Sequence, residues 1–262
     1  MPKPSRGGKR SAPQSAFTFQ NQAGTATAQQ AQDLMQSLND EDVVDYADYM
    51  KLSDDEKADA MAQIMKNDLP NMLDKSFTQK MLYYTDIEGK PKVVSDAQLD
   101  NELGQELFRT VHDVYDRATD VSYTAKQIYN QIAKGDYTAV SGSGGSAYGK
   151  GIYFASTYRG STAYAVGNKK NVTMRAKLNS NARTVDYYTA IKGAQNEIAR
   201  GTKMGRMYAR MSAEDQSSVW ALNNGYNVVT DSKHGADYHV VLDRRAITMS
   251  SKTTDSSGSR WH

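Results

Sequence analysis

Strict alternation of apolar and polar residues marks the strands of this chain. Apolar side chains occupy every second position of residues 171–178 (NVTMRAKL), which is the spacing of a strand with one buried face. Residues 106–114 (ELFRTVHDV) alternate in a similar way. Residues 226–231 (YNVVTD) and 238–243 (YHVVLD) are short apolar runs and predict two further strands. The strand signal is therefore concentrated after residue 100.

Helical spacing fills much of the remaining sequence. Ser53 and Glu56 have the spacing of a capping box ahead of an apolar helical stripe, and Pro70 ends that pattern. Ser95 and Gln98 repeat the same spacing. These signals predict a helical region over residues 33–100.

Two more helices are predicted among the strands. Ser122 is the expected cap of one that carries an apolar face and ends at Gly135, and Ser212 is the expected cap of another that ends near Gly225. Single helices between strands, without a regular βαβ repeat, predict an α+β fold rather than a doubly wound sheet.

Composition changes at both ends of the chain. Residues 1–32 contain four basic residues and mostly small polar ones, which predicts a disordered basic tail. This tail is either a solvated leader or a segment that docks to an acidic partner. The expected division is this tail, a helical accessory region at 33–100, a main domain at 101–250, and a disordered tail at 251–262.

Overall composition excludes several functions. With 32 Lys and Arg against 30 Asp and Glu, net charge gives no reason to expect nucleic acid or a membrane as partner. The absence of cysteine excludes disulfides and thiolate zinc sites, and the four histidines lack the spacing of metal ligands. The basic N-terminus has no apolar segment typical of a secretory signal, so a cytoplasmic protein is expected.

A glycine-rich stretch, GSGGSAYGKGIYFASTYRGSTAYA at residues 142–165, carries the candidate chemistry. Gly144 to Lys150 match most of a phosphate-binding P-loop. A P-loop requires a hydroxyl residue after the lysine and a helix that begins there, whereas this chain has Gly151 and then the strand-like IYFA. The stretch therefore predicts a glycine-led strand.

This strand resembles the nucleotide-site signature of the ADP-ribosyltransferase superfamily. GKGIYFA followed by STYRGSTAY is similar to the poly(ADP-ribose) polymerase motif, in which a glycine-rich loop that includes Gly151 enters a strand at the NAD site. The resemblance implies that Tyr153 stacks on nicotinamide, that Ser161 hydrogen-bonds its amide and that Tyr164 closes the other face. By itself, GKGIYFA is also compatible with an ordinary core strand.

An earlier strand adds to the resemblance. In the superfamily such a strand carries His-Gly or Arg-Gly, and here Arg109 and Thr110 stand at those positions. Arg109 is therefore expected to grip the cofactor, because a guanidinium offers several fixed donors to a pyrophosphate or ribose. Thr110 replaces the glycine whose backbone contacts the carboxamide of nicotinamide.

The final strand departs from the family pattern. Its usual leading glutamate stabilises the cationic ribose that forms as nicotinamide leaves. Here Tyr238 occupies that position and Asp237 lies one residue earlier, where a bulge would be needed to bring its carboxylate into the site. The site is accordingly reduced in activity, dependent on Asp237, or inactive.

Together the resemblance implies an ADP-ribosyltransferase-like split β-sheet core over residues 101–250, and NAD as substrate. The expected activity is mono-ADP-ribosylation of a protein acceptor, a glycosyl transfer. The chain organisation is similar to that of ADP-ribosyltransferase-like proteins encoded by bacteriophages, which implies a host-cytoplasmic or virion location and an N-terminal region that docks to a phage partner. The alternative is a non-catalytic or virion-associated binding protein that reuses the fold.

Overall fold

The computed structural model describes residue 24 and residues 26–256, except 70–71, 74, 88, 117–119, 136–148, 168 and 232–236. The helices are α1 Ala28–Asn39, α2 Tyr46–Met50, α3 Asp54–Lys66, α4 Phe77–Tyr84, α5 Asp96–Asn101, α6 Ala125–Lys134, α7 Tyr158–Thr162, α8 Tyr187–Arg200, α9 Lys203–Tyr208 and α10 Ala213–Asn223. The strands are β1 Lys92–Val94, β2 Glu106–His112, β3 Val114–Asp116, β4 Val121–Tyr123, β5 Ile152–Ala155, β6 Asn171–Leu178, β7 Thr184–Asp186, β8 Val228–Asp231, β9 Tyr238–Val241 and β10 Ile247–Ser256.

A mixed sheet of eight strands organises the protein, in the order β1-β10-β6-β2-β5-β9-β8-β7. The pairs β1–β10 and β7–β8 are parallel, and the other neighbours are antiparallel. Strands β3 and β4 form a separate antiparallel pair. The fold is therefore mixed α/β, and the strands predicted after residue 100 from alternation and from apolar runs are confirmed as β2 and β6 and as β8 and β9.

Two buried cores cover the two faces of this sheet. The larger core joins apolar residues of α1–α4 and α8–α10 to Val229, Val240 and Leu242. The smaller core joins α6 to residues of β2, β5, β6 and β10. In β5, Ile152 and Phe154 lie in the smaller core while Tyr153 packs against the larger one, as strand alternation requires.

The N-terminal helices are joined to the C-terminal half by polar bonds as well as by this core. Asp215 on α10 accepts hydrogen bonds from the backbone N–H and the hydroxyl of Thr78, at 3.1 and 2.9 Å. Tyr49 donates to Asn223 Oδ1 at 2.6 Å, in the buried interior. The helices of the predicted accessory region thus share their packing with the helices that cover β8 and β9.

Helix capping is predicted correctly at three of the sites and incorrectly at one. The capping boxes of Ser53 and Ser95 begin α3 and α5, and Ser212 caps α10. Ser122 is not a cap, because it lies in β4 opposite Tyr115. Thr124 caps α6 instead, since Gln127 reaches back to its backbone N–H, whereas the residue three positions after Ser122 is an alanine.

Parts of both predicted disordered tails belong to regular secondary structure. Helix α1 begins at Ala28 because Thr27 and Gln30 form a capping box, so residues 28–32 are helical. Residues 251–256 belong to β10, which pairs with β6 on both sides of a register shift between Met249 and Thr253. The rest of each predicted tail, residues 1–23 and 257–262, lies outside the described residues.

Candidate functional site

The candidate site lies where strands β2 and β5 separate. Strand β2 pairs with β6 over its whole length, from Glu106 to His112, but pairs with β5 only at Phe108 and Ala155. Beyond that position the two strands have no backbone pairing on the side of Arg109 and Tyr153. An opening in a sheet exposes backbone polar groups that require other partners.

Arg109 reaches across this separation. Its Nη1 donates to the carbonyl oxygen of Tyr153 at 2.7 Å. Its Nε is buried without a hydrogen-bond partner, and no carboxylate of the described residues forms an ion pair with it. Burial lowers the pKa of the guanidinium to about 10, and the nearby Tyr164 opposes that shift. Among the described residues, the site thus contains a cation with a spare donor and no carboxylate paired with it.

Three hydroxyl groups form a chain that includes Thr110, the residue after Arg109 in β2. Thr110 Oγ1 lies 3.1 Å from Ser161 Oγ and 2.8 Å from Thr173 Oγ1, and all three residues are buried. Ser161 also donates to the carbonyl of Tyr158 at 2.8 Å. Because a hydroxyl has one hydrogen and two lone pairs, Ser161 accepts from Thr110 and keeps one acceptor position. That position suits an N–H donor such as a primary amide.

Aromatic side chains line the same region. The Tyr153 hydroxyl donates to the carbonyl of Gly149 at 2.8 Å, and its ring packs partly against the larger core. The rings of Tyr164 and Tyr238 lie 6.0 Å apart at an interplanar angle of 68°, an edge-to-face contact. Tyr164 remains 49% exposed, so its ring is accessible beside the strand ends.

The glycines before β5 permit close packing. Gly149 has φ +124, and a Cβ there would lie 2.7 Å from Ser218 Oγ; the next N–H, of Lys150, donates to the same oxygen at 2.7 Å. A Cβ on Gly151 would lie 2.7 Å from the carbonyl oxygen of Val241 on β9. Strand β5 follows directly, which confirms the predicted strand and contradicts a P-loop helix at this position.

Asp237, the carboxylate expected from sequence, is exposed and has φ +40 just before β9. Its carbonyl oxygen accepts from Ser156 N at 3.2 Å and lies 3.0 Å from His239 Nδ1. The register from Ile152–Val241 to Ala155–Tyr238 is regular, so the described β5–β9 pair has no bulge beside Asp237. Tyr238 therefore borders the candidate site at the position nearest to Ala155.

Sequence reasoning missed other groups at this end of the sheet. Asp231 is 1% exposed and lies across from Tyr238 in the β8–β9 pair. Gln105 precedes β2, and its Oε1 lies 3.0 Å from Nε2 of the buried His239. The alternation of β8 and β9 indicates which of their residues share a face, but the register that places Asp231 beside Tyr238 is set by pairing between distant segments.

Comparisons with known proteins identify no relative, and the described residues contain neither a metal cluster nor a membrane-spanning helix. No family model, no curated protein and no solved structure matches the chain. The part of the chain that the structure describes contains no group of three or more His, Cys, Asp or Glu residues placed to hold a metal ion. No helix within it has both the length and the apolar content needed to cross a bilayer. Residues 232–236, which connect β8 to Asp237, lie outside the described residues.

Proposed function

We propose that the protein is an NAD-dependent mono-ADP-ribosyltransferase with an ADP-ribosyltransferase-like split sheet. The observation that carries the proposal is the partly buried guanidinium of Arg109, which spans the separation of β2 and β5 and whose Nε is buried without a hydrogen-bond partner. A cation with a desolvated donor of this kind favours an anionic ligand, since an unpaired charge away from water is costly. The diphosphate of NAD supplies that anion.

The other groups at the separation fit the nicotinamide end of NAD. Ser161 keeps one acceptor position, which matches an N–H of the carboxamide. Tyr153 and Tyr164 offer aromatic surface for the ring. Thr110 stands where the family pattern has a glycine. Its hydroxyl donates to Ser161, and Ser161 in turn donates to the Tyr158 carbonyl. These residues bind and orient the substrate.

The reaction transfers a glycosyl group. The bond between nicotinamide and ribose breaks, its electron pair leaves with nicotinamide, and the ribose carbon gains positive charge. A nucleophile of the acceptor protein bonds to that carbon and releases a proton, so the products are nicotinamide, a proton and the ADP-ribosylated acceptor. A nearby carboxylate would lower the energy of the cationic transition state. Asp237 is the residue proposed for this role, through movement of its side chain toward Tyr238.

A non-catalytic nucleotide-binding protein is the second candidate, and one observation favours it. Tyr238, rather than an acid, borders the site across from Ala155, and its ring contacts Tyr164. Asp237 is exposed and precedes the strand. Such a site retains the groups that bind NAD while lacking a carboxylate fixed beside the ribose. This protein would bind NAD without cleaving it.

The two candidates differ in covalent transfer. NAD labelled on its adenine is incubated with the full chain, with and without candidate acceptor proteins, and the label bound covalently to protein is measured. The first candidate predicts label that is strongly reduced in Arg109→Ala but retained in Arg206→Ala, because Arg206 is exposed on α9 and donates to the nearby Gly201 carbonyl, away from the candidate site. Binding of NAD without label in any acceptor would support the second candidate.

A further inference from the structure

A groove in the N-terminal helices lies apart from the candidate site. It is formed by α1, the loop to α2, and the residues that connect α2 to α3, and it encloses about 310 Å³. Leu34, Val44 and Leu52 form its apolar floor and are themselves buried. Val43 lies at its edge and is 37% exposed. The groove therefore presents apolar surface in a concave shape, which is the form that binds a partner side chain.

The edge of this N-terminal groove is acidic. Asp33, Asp45 and Asp48 line it, together with Lys51, whose Nζ lies 2.7 Å from Asp48 Oδ1. Asp45 also caps α2 by accepting from Ala47 N at 2.7 Å. Three carboxylates against one ammonium give the groove a net charge of −2, so a basic occupant that also carries apolar side chains is complementary to it.

The first residues of the same chain have this chemistry. Residues 1–23 contain Lys3, Arg6, Lys9 and Arg10 and no acidic residue, and they carry Phe17 and Phe19, two of the five phenylalanines of the protein. An alternating Phe-Thr-Phe in extended backbone puts both rings on one side. Basic and apolar groups thus occur together in one short segment.

The first described residues of the chain lie beside the groove. Gly24 N and Ala26 N donate to the carbonyl of Lys51 at 2.9 and 3.1 Å, and both Lys51 and Ala26 line the groove. Phe19 precedes Gly24 by five residues, a span of at most about 17 Å when extended. Tethering through so short a linker gives an effective concentration on the order of millimolar, so even a weak contact would be populated.

We propose that residues 6–20 bind in the N-terminal groove of their own chain. Phe17 and Phe19 contact the floor of Leu34, Val44 and Leu52, and the basic residues face the carboxylates at the edge. This intramolecular contact is independent of the proposed enzymatic function. While residues 6–20 occupy the groove, a basic and aromatic segment of a partner protein cannot bind there. Such a segment would have to displace them.

Limited trypsin digestion of the full-length protein tests the proposal. At low protease concentration, cleavage after Lys9 and Arg10 follows the fraction of time that the segment is open. We expect these cleavages to be about tenfold slower in the wild type than in Phe17→Ser/Phe19→Ser, because two buried side chains contribute an interaction of that order. The matched control Thr18→Ala/Gln20→Ala changes the alternate positions of the same segment and should cleave like the wild type.

A second variant tests the groove side. Asp33→Asn/Asp48→Asn keeps the shape of the edge and removes two charges, so cleavage should accelerate at low salt and the difference should shrink at high salt. Equal cleavage rates for the wild type and the phenylalanine variant would overturn the proposal. Protection that increases with protein concentration would also overturn it, since the segment would then bind a second copy.

Discussion

Arg109 is the residue on which the functional account depends most. Its position in a strand was predictable from the alternation of residues 106–114, and the resemblance implies that it holds NAD. The sequence did not reveal that Nη1 would bond the Tyr153 carbonyl or that Nε would be buried without a partner. Those features depend on the separation of two strands that are more than forty residues apart in the chain.

Replacing this cation with an apolar side chain should separate stability from function. In Arg109→Met the bond to Tyr153 is lost, but so is the cost of burying an unpaired charge, so we expect the free energy of unfolding to change by no more than about 1 kcal/mol. Nicotinamide release should fall at least about 100-fold. Denaturant unfolding and a release assay measure the two effects. A loss of stability above about 3 kcal/mol would assign Arg109 a structural role instead.

Tyr238 provides a second test at the scale of one residue. It borders the site opposite Ala155, at the position where the resemblance to the ADP-ribosyltransferase superfamily implies a glutamate. We expect Tyr238→Glu to raise nicotinamide release at least about tenfold over the wild type, because a carboxylate there would stabilise the cationic ribose. Tyr238→Gln is the matched control, since it has the same size without the charge. Equal rates for the two folded variants would contradict this placement.

Among the elements, the predictable ones are those whose signal is local. Strand β6 follows from its alternation and α3 from its capping box, and both appear at the expected positions. The predicted cap of α6 at Ser122 is wrong because the residue three positions later is an alanine, whereas Thr124 has Gln127 at the capping-box position. The single pairing between β2 and β5 has no local signal, because it is decided by which distant strands compete as neighbours.

The imidazole of His239, which joins β9 to Gln105 just before β2, should make the free energy of unfolding depend on pH. His239 contacts Asp237 and Gln105, and burial lowers its pKa below the ordinary value of 6.5. The unfolded chain therefore takes up a proton first as the pH falls, so stability is full above pH 6.5 and is lost as the pH drops toward the folded-state pKa. Denaturant unfolding at pH 7.5 and 5.5 should show this loss.

The variant His239→Gln identifies the source of that loss. It removes the titrating group, so its free energy of unfolding should fall less between the two pH values than that of the wild type. His112, whose pKa burial also lowers, should retain its own share of the dependence in this variant. An unchanged pH dependence in His239→Gln would show that the His239 imidazole, which contacts Gln105, does not contribute to the loss of stability in this range.

At the scale of the whole molecule, the sequence predicted the helical region 33–100 as a unit distinct from the main domain. It did not indicate that these helices and the C-terminal helices share one core, because sequence patterns identify buried faces without identifying their partners. Strand β1 also joins the main sheet, in parallel with β10. The predicted accessory region is therefore continuous with the rest in packing.

This shared core predicts cooperative unfolding. Scanning calorimetry should show one transition for the N-terminal helices and the sheet, because α1–α4 and α8–α10 bury their apolar faces together. Tyr49→Phe removes the buried hydrogen bond to Asn223 and should lower the free energy of unfolding by about 1 kcal/mol. The single transition should therefore move to a lower temperature without dividing into two. Two resolved transitions, with only one of them shifted by the substitution, would contradict a common core.

Nicotinamide release is the measurement that shows whether the separation of β2 and β5 binds and cleaves NAD. Purified full-length protein is incubated with NAD, with and without acceptor proteins, and free nicotinamide is measured beside the Arg109→Met and Arg206→Ala variants. We expect release by the wild type and by Arg206→Ala, and its near-complete loss in Arg109→Met. Release that is equal in all three proteins, or absent in all of them, would contradict this expectation.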